Sequence, residues 1–276
     1  MRKIISIIFV GILVCGLSLK ASAVERVDSV VDEDKVEELV SRGFPQGVIE
    51  TMDDAMIDKI YQKIQDDDIV NITSNQETYF IEFPSDKTGG IQTKGAIETS
   101  KLKIVADIMN YADVSEKITG CDISLNYEWI VTPGTCSTDA ITLGWDPGVF
   151  TYSGYMSGHN KVHNMGTGEE DYYNFISAAS LANTGGIGWY AELMSPNISP
   201  KVQSNPSGSA YVSFIPAKVF YSNSGITSNF QIQYVHNKLG LSIGLSYGAV
   251  GVSVDCLGGT DTAAKTMVYR ANVVNN

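Results

Sequence analysis

From Thr78 onward, hydrophobic and polar residues alternate in short runs separated by turn residues. Strict alternation marks strands with one buried face, because successive side chains point to opposite sides of a pleated strand. The clearest run sets Ile123, Leu125, Tyr127, Trp129 and Val131 against Asp122, Ser124, Asn126 and Glu128. Pro133-Gly134 turns the chain into Ile141, Leu143 and Trp145, and Asp146-Pro147-Gly148 turns it again into Phe150 and Tyr152. Tyr79–Phe83, Ile187–Leu193 and Thr266–Val273 read as further strands. Tyr211–Phe220 does too, with Pro216 interrupting it or confining it to an edge. Within Phe230–Cys256 the alternation changes phase at Gly248-Ala249, which predicts a two-residue hairpin loop. That register puts Leu245 opposite Val252 and Ile243 opposite Val254, and a loop at His236–Leu239 puts Ile232 opposite Ile243. The expectation is a three-stranded meander. Residues 99–112 and 169–182 fit helix or strand. Ser153–Gly168 and Met194–Ser209 read as loops. Short strands with regular turn signals give a mainly β fold, an antiparallel β-sandwich of two sheets.

The N-terminal part has a different texture. Asp32-Glu33-Asp34 open a helical pattern that Val36, Leu39 and Val40 carry to Gly43, a natural stop. Phe44-Pro45 turns the chain, and Met56, Ile57, Ile60, Tyr61 and Ile64 form an apolar stripe at helical spacing. The expected organisation is a leader over 1–23, an acidic helical segment over 24–75 and the β-sandwich over 76–276. The run GFPQGVIETMDDAMIDKIYQKI resembles short helical modules in secreted proteins of Gram-positive bacteria that have no assigned activity. The resemblance implies export and transfers no functional residue. Asp66-Asp67-Asp68 lacks the alternating ligands and glycine of a calcium loop and reads as a solvated helix end.

Arg2 and Lys3, the apolar run Ile4–Leu19 and the small residues Ala21-Ser22-Ala23 form an export signal, so the expected location is extracellular. The run is too short and glycine-interrupted for a stable membrane span, and Val14 before Cys15 does not suit lipid attachment. The chain carries 31 acidic against 19 basic residues, a formal charge of −12. Loss of the leader removes three of those basic residues. Such a balance argues against nucleic acid and anionic membrane as partners. Cys121, Cys136 and Cys256 remain. The strand between the first two opposes their pairing, so a bridge from Cys256 to one of them is expected, with free thiols as the alternative.

Candidate chemistry is sparse. His159 and His163 have the spacing of a zinc-protease helix, but Asn160 stands where the catalytic Glu would be. No metal or cofactor is predicted. Ser153 and Ser157, in YSGYMSG, lack the flanks of a nucleophile elbow, Cys136 with His159 stays open as a nucleophile–base pair, and the many carboxylates define no pair by sequence alone. Tyr152, Tyr155, His159, His163, Tyr172 and Tyr173 cluster along the chain and are the candidate binding residues, with aromatic rings suited to stacking on sugars. The expected function is a secreted, non-enzymatic binding protein for an extracellular ligand or cell-surface component, a glycan among them. Two alternatives are a secreted hydrolase and a β-pore-forming-toxin-like protein. For the latter, the seven-residue runs Leu241–Tyr247 and Val250–Cys256 fall short of the ~9–11 residues a spanning strand needs. Oligomeric state stays open.

Overall fold

The computed structural model describes residues 32–49, 54–66, 71–80, 102–130, 138–176, 181–237, 243–248, 251–256 and 260–271. The leader expected over 1–23, Asp67-Asp68 and Cys136 lie outside the described residues. Among the described residues three helices come first: α1 (Glu33–Ser41), α2 (Gln46–Ile49) and α3 (Asp54–Asp66). Then follow β1 (Asn71–Phe80), β2 (Leu102–Ala112), β3 (Ile118–Trp129), β4 (Thr138–Trp145), β5 (Phe150–Asn164), β6 (Glu169–Ile176), β7 (Leu181–Ala182) and β8 (Gly186–Glu192). A 3-10 turn at Pro200–Val202 leads into β9 (Gln203–Pro216), β10 (Thr227–Asn237), β11 (Ile243–Gly248), β12 (Gly251–Cys256) and β13 (Thr260–Arg270). The fold is mainly β, an antiparallel β-sandwich preceded by helices.

One sheet runs β1-β2-β3-β9-β5-β6 and the other β13-β10-β4-β8-β7. Alternation decides which side chains meet between them. Ile123, Leu125, Tyr127 and Trp129 of β3 face Ile141, Leu143 and Trp145 of β4, with Phe230, Ile232 and Tyr234 of β10, in one continuous apolar core. Aromatic rings fill its centre. Phe214 stands 4.9 Å from Trp145 and 5.3 Å from Phe230, centroid to centroid. All three tryptophans are buried.

The helices cover part of the outer face of the six-stranded sheet. Leu39, Ile57, Ile60 and Ile64 pack with Met109, Tyr111 and Tyr211, which point outward from β2 and β9. The phase of β2 is therefore strand, with Ile104 and Ile108 inward and Met109 outward. Residues 169–176 likewise form a strand.

Four sequence expectations change. The meander does not form: β10 pairs with β4 and β13, placing Tyr234 opposite Ile141 and Ile232 opposite Leu143. Among the described residues β11 and β12 pair only with each other, and their register is two residues away from the one expected, with Leu245 opposite Val254 and Gly248 opposite Gly251. A shift of two keeps every side chain on its face, so the hydrophobic pattern cannot distinguish the two registers. Ser153–Gly168 is mostly strand, and only 165–168 form its turn. Finally, β9 begins at Gln203, so Pro206 lies within a strand paired on both sides. It is accommodated at the irregularity between Lys161 and His163, where Asn205 takes φ 49° and no ladder donor is required.

Cys121 points into the core and carries a free thiol. The bridge expected from Cys256 to Cys121 is not formed. Burial raises the Cys121 thiol well above its ordinary pKa, with Asp122 adding to the effect.

Candidate functional site

On β5 the pairing with β9 is irregular between Tyr152 and Met156, so that Ser153, Gly154 and Tyr155 stand opposite the single residue Ser213. Gly154 takes φ +86° there, a conformation that favours glycine. The two extra residues preserve the phase: Tyr152 and Met156 both contribute to the core, while Tyr155 packs with the helical cluster on the outer face. The ring of Tyr155 lies 6.3 Å from that of Tyr211.

This bulge forms one wall of an open cleft of about 240 Å³ between α3 and the sheet. Ile60 and Lys63 line it from α3, Thr119 from β3, Ser153 and Tyr155 from β5, and Tyr211 to Ile215 supply four lining residues from β9. Beside it stands a buried polar relay. Lys63 Nζ lies 3.0 Å from both carboxylate oxygens of Asp122, which is fully buried. Tyr211 donates its hydroxyl hydrogen to Asp122, so Tyr111, 2.8 Å away, donates to Tyr211. The ammonium also sits 4.3 Å over the Tyr111 ring. Burial, and then the Asp122 charge, holds both phenols well above the usual tyrosine range. Ser213 Oγ is buried with no hydrogen-bond partner among the described residues.

The six residues expected to act together are spread over β5 and β6. Tyr155 is in the cleft, and Tyr152 packs on the core 6.4 Å from Phe214. Tyr173 is buried and donates to the Glu192 carbonyl at 2.7 Å. His159 is buried rather than solvated, with Nδ1 3.2 Å from Ser209 Oγ. Its ring lies 5.1 Å from that of Tyr172, which is exposed and has Lys161 Nζ 5.8 Å from its centroid. His163 faces Glu170 at 3.4 Å. Among the described residues, no group of three or more His, Cys, Asp or Glu side chains is arranged to hold a metal ion.

A second polar cluster closes one end of the core. Asp139 accepts hydrogen bonds from Tyr234 Oη at 2.7 Å and from the Asn237 backbone at 2.9 Å, and lies 3.0 Å from His236 Nδ1. Trp129 Nε1 donates to Tyr234 at 3.0 Å, with its ring 4.9 Å from His236. Sequence phase carried this signal. Asp139 shares the inward parity of Ile141 and Leu143, and His236 that of Ile232 and Tyr234, once β10 extends past the loop expected at His236.

No family model matches the chain. No curated protein sequence matches it either. Solved structures similar to it include the collagen-binding domain of a Staphylococcus aureus adhesin, at 11% identity and TM-score 0.28, over 55% of this chain and 87% of that one. The Clostridium perfringens NetB toxin in its membrane-inserted form gives 8% identity and TM-score 0.31, over 71% and 96%. The C-terminal domain of the Streptococcus pyogenes antigen I/II-family protein AspA gives 8% and 0.27, over 50% and 52%. At TM-scores this low the likenesses carry no argument about activity or ligand.

Proposed function

We propose that this is a secreted, non-enzymatic binding protein that takes a hydroxyl-rich ligand, a glycan, in the cleft between α3 and the bulge of β5. The observation that carries the reading is the composition of that cleft. Tyr155 offers aromatic surface backed by the buried Tyr211 ring, Thr119 and Ser153 offer hydroxyls, and the buried Ser213 oxygen has no protein partner among the described residues. Rings that present a flat apolar face and a hydroxyl rim suit such a wall. A volume of about 240 Å³ is below the ~300–1,000 Å³ typical of drug-sized sites. It fits a small ligand or one unit of a longer chain.

The charge pattern favours binding over turnover. Asp122, the carboxylate beside the cleft, is held by Lys63 and Tyr211. It is therefore not poised as a general base, and Lys63, already paired, does not call for an anionic ligand.

Binding of the wild type and Tyr155→Ala to a glycan array tests the reading. A signal on a restricted set of neutral glycans that disappears in the variant supports it. A flat array for the wild type, or an unchanged signal in the variant, refutes it.

A further inference from the structure

The end of the sandwich formed by the β2–β3 turn and the segment between β9 and β10 projects three large apolar side chains that the core does not use. Val114 is 80% exposed, Val219 65% and Tyr221 44%. Isolated surface hydrophobics are ordinary; these stand on two segments locked to each other. Tyr221 bridges to Lys117, Ile118 N donates to the Phe220 carbonyl at 3.0 Å, and Ser222 N donates to the Glu116 carbonyl at 2.8 Å. Asp113 caps its own turn by accepting from the amides of Ser115 and Lys117. Phe220, buried between Phe150 and Tyr269, anchors the second segment. Its neighbours in the chain, Val219 and Tyr221, are thereby held outward. The projecting groups are preorganised, so little conformational freedom would be lost when they are covered.

We propose that this end seats on the surface of a zwitterionic lipid bilayer, with Val114, Val219 and Tyr221 entering the interfacial region. A protein partner needs about 800 Å² of matched surface per side, whereas the exposed apolar groups of this end are three side chains on two short segments. A fluid interface accepts protruding side chains without a matched shape. Tyrosine suits the headgroup level, and lysines reach back from it to water. Lys117 and the exposed Lys218 flank the projections. The acidic groups of the same end are engaged within it, Asp113 in its turn and Glu116 with Ser222 Oγ at 3.0 Å. The net charge of −12 directs the choice to neutral rather than anionic lipid. The inference stands on exposure and backbone pairing and does not need the glycan cleft.

Flotation of the protein with phosphatidylcholine vesicles, read with hydrogen exchange, tests it. The wild type should co-float, and amides of 113–119 and 217–222 should gain protection when vesicles are added. Val114→Asp with Val219→Asp and Tyr221→Ser should weaken co-flotation about tenfold or more while the melting temperature holds. If that variant fails to fold, Val114→Asp alone, at a site with no packing role, should still weaken it. A wild type that ignores vesicles, protection confined to other segments, folded variants that float like the wild type, or attachment to cells only through protease-sensitive receptors would each overturn the proposal.

Discussion

Lys63→Met should loosen the helices from the sheet. Asp122 is fully buried, and Lys63, 27% exposed, is the cation that compensates it. Removing one partner of a buried pair costs about 3–5 kcal/mol, because the other charge is left without compensation. Two features reduce that figure here. Water reaches the lysine end, and Tyr211 still donates to Asp122 after the substitution. A loss of roughly 2–3 kcal/mol follows. For a domain of this size each kcal/mol shifts the melting temperature by about 2–4 °C, so a fall of roughly 4–12 °C is expected by calorimetry. Asp122→Asn in the same background should recover part of the loss, because the uncompensated charge is then gone. A double-mutant cycle should return a coupling of roughly 1–2 kcal/mol. Hydrogen exchange in α1 and α3 should accelerate before that of β3 and β9. An unchanged melting temperature for Lys63→Met, or strictly additive effects in the cycle, would refute the assignment of Asp122 as the helix anchor.

Other substitutions probe other contacts. A Cβ at Gly158 would lie 2.2 Å from the Ser209 carbonyl oxygen and 3.0 Å from Ala210 Cα, both backbone. Gly158→Ala should therefore destabilise by about 3 kcal/mol in chemical denaturation, and a midpoint equal to wild type would contradict the register of β5 with β9. At Gly188 the Cβ would meet Val252 Cγ1 at 3.0 Å and Leu245 Cδ1 at 3.2 Å. Gly188→Leu should thus speed amide exchange in 243–256 with the sandwich unaffected, and unchanged exchange there would show that the hairpin does not rest on β8. Cys121 should resist alkylation in the folded protein at mildly alkaline pH and label only on unfolding, as read by peptide mapping; rapid labelling of the native state would place the thiol outside the core. Hydrogen bonds from Tyr61, Gln65 and Arg42 hold Glu38 below its ordinary value of 4.5. A carboxyl lowered by folding stabilises above its unfolded pKa, and the contribution is lost as pH falls through the folded one. The helical circular-dichroism signal should accordingly weaken below pH 4.5 in the wild type and less so in Glu38→Gln. Identical acid limbs would exclude Glu38 as a contributor.

Much of the sandwich was legible because alternation is a local property. Ile123–Trp129, Ile141–Trp145 and Ile187–Leu193 each turn one phase into the core between the sheets, and the phase alone identifies those residues. What periodicity does not encode is which strands are neighbours. β10 fits β4 and β13 as well as it fits β11 by pattern, and the structure pairs it with β4 and β13. The stretch Leu241–Cys256 reads as core by its alternation, yet its described strands, Ile243–Gly248 and Gly251–Cys256, form a separate layer outside the second sheet, with Leu245 and Val252 against Gly188. Gly188, a glycine in the outward phase of β8, was a local sign that another layer packs close there.

The cleft shows the same limit at the level of chemistry. Tyr155 was readable as distinct from Tyr152, because its parity opposes that of Tyr152 and Met156. The glycine between them at Gly154 marks where the strand must bulge to present it. Lys63 and Asp122 were not readable as partners. They are 59 residues apart, and each has the appearance of an ordinary polar position, one on an amphipathic helix and one on the outward phase of a strand. The apolar stripe of α3 brings them together: once Ile57, Ile60 and Ile64 lie over Met109 and Tyr211, Lys63 is carried to the edge of the contact, where Asp122 must be buried. A carboxylate buried by the packing of its neighbours needs a cation within reach. The helix supplies it, and the same seating leaves open beside Tyr155 the cleft proposed to bind ligand.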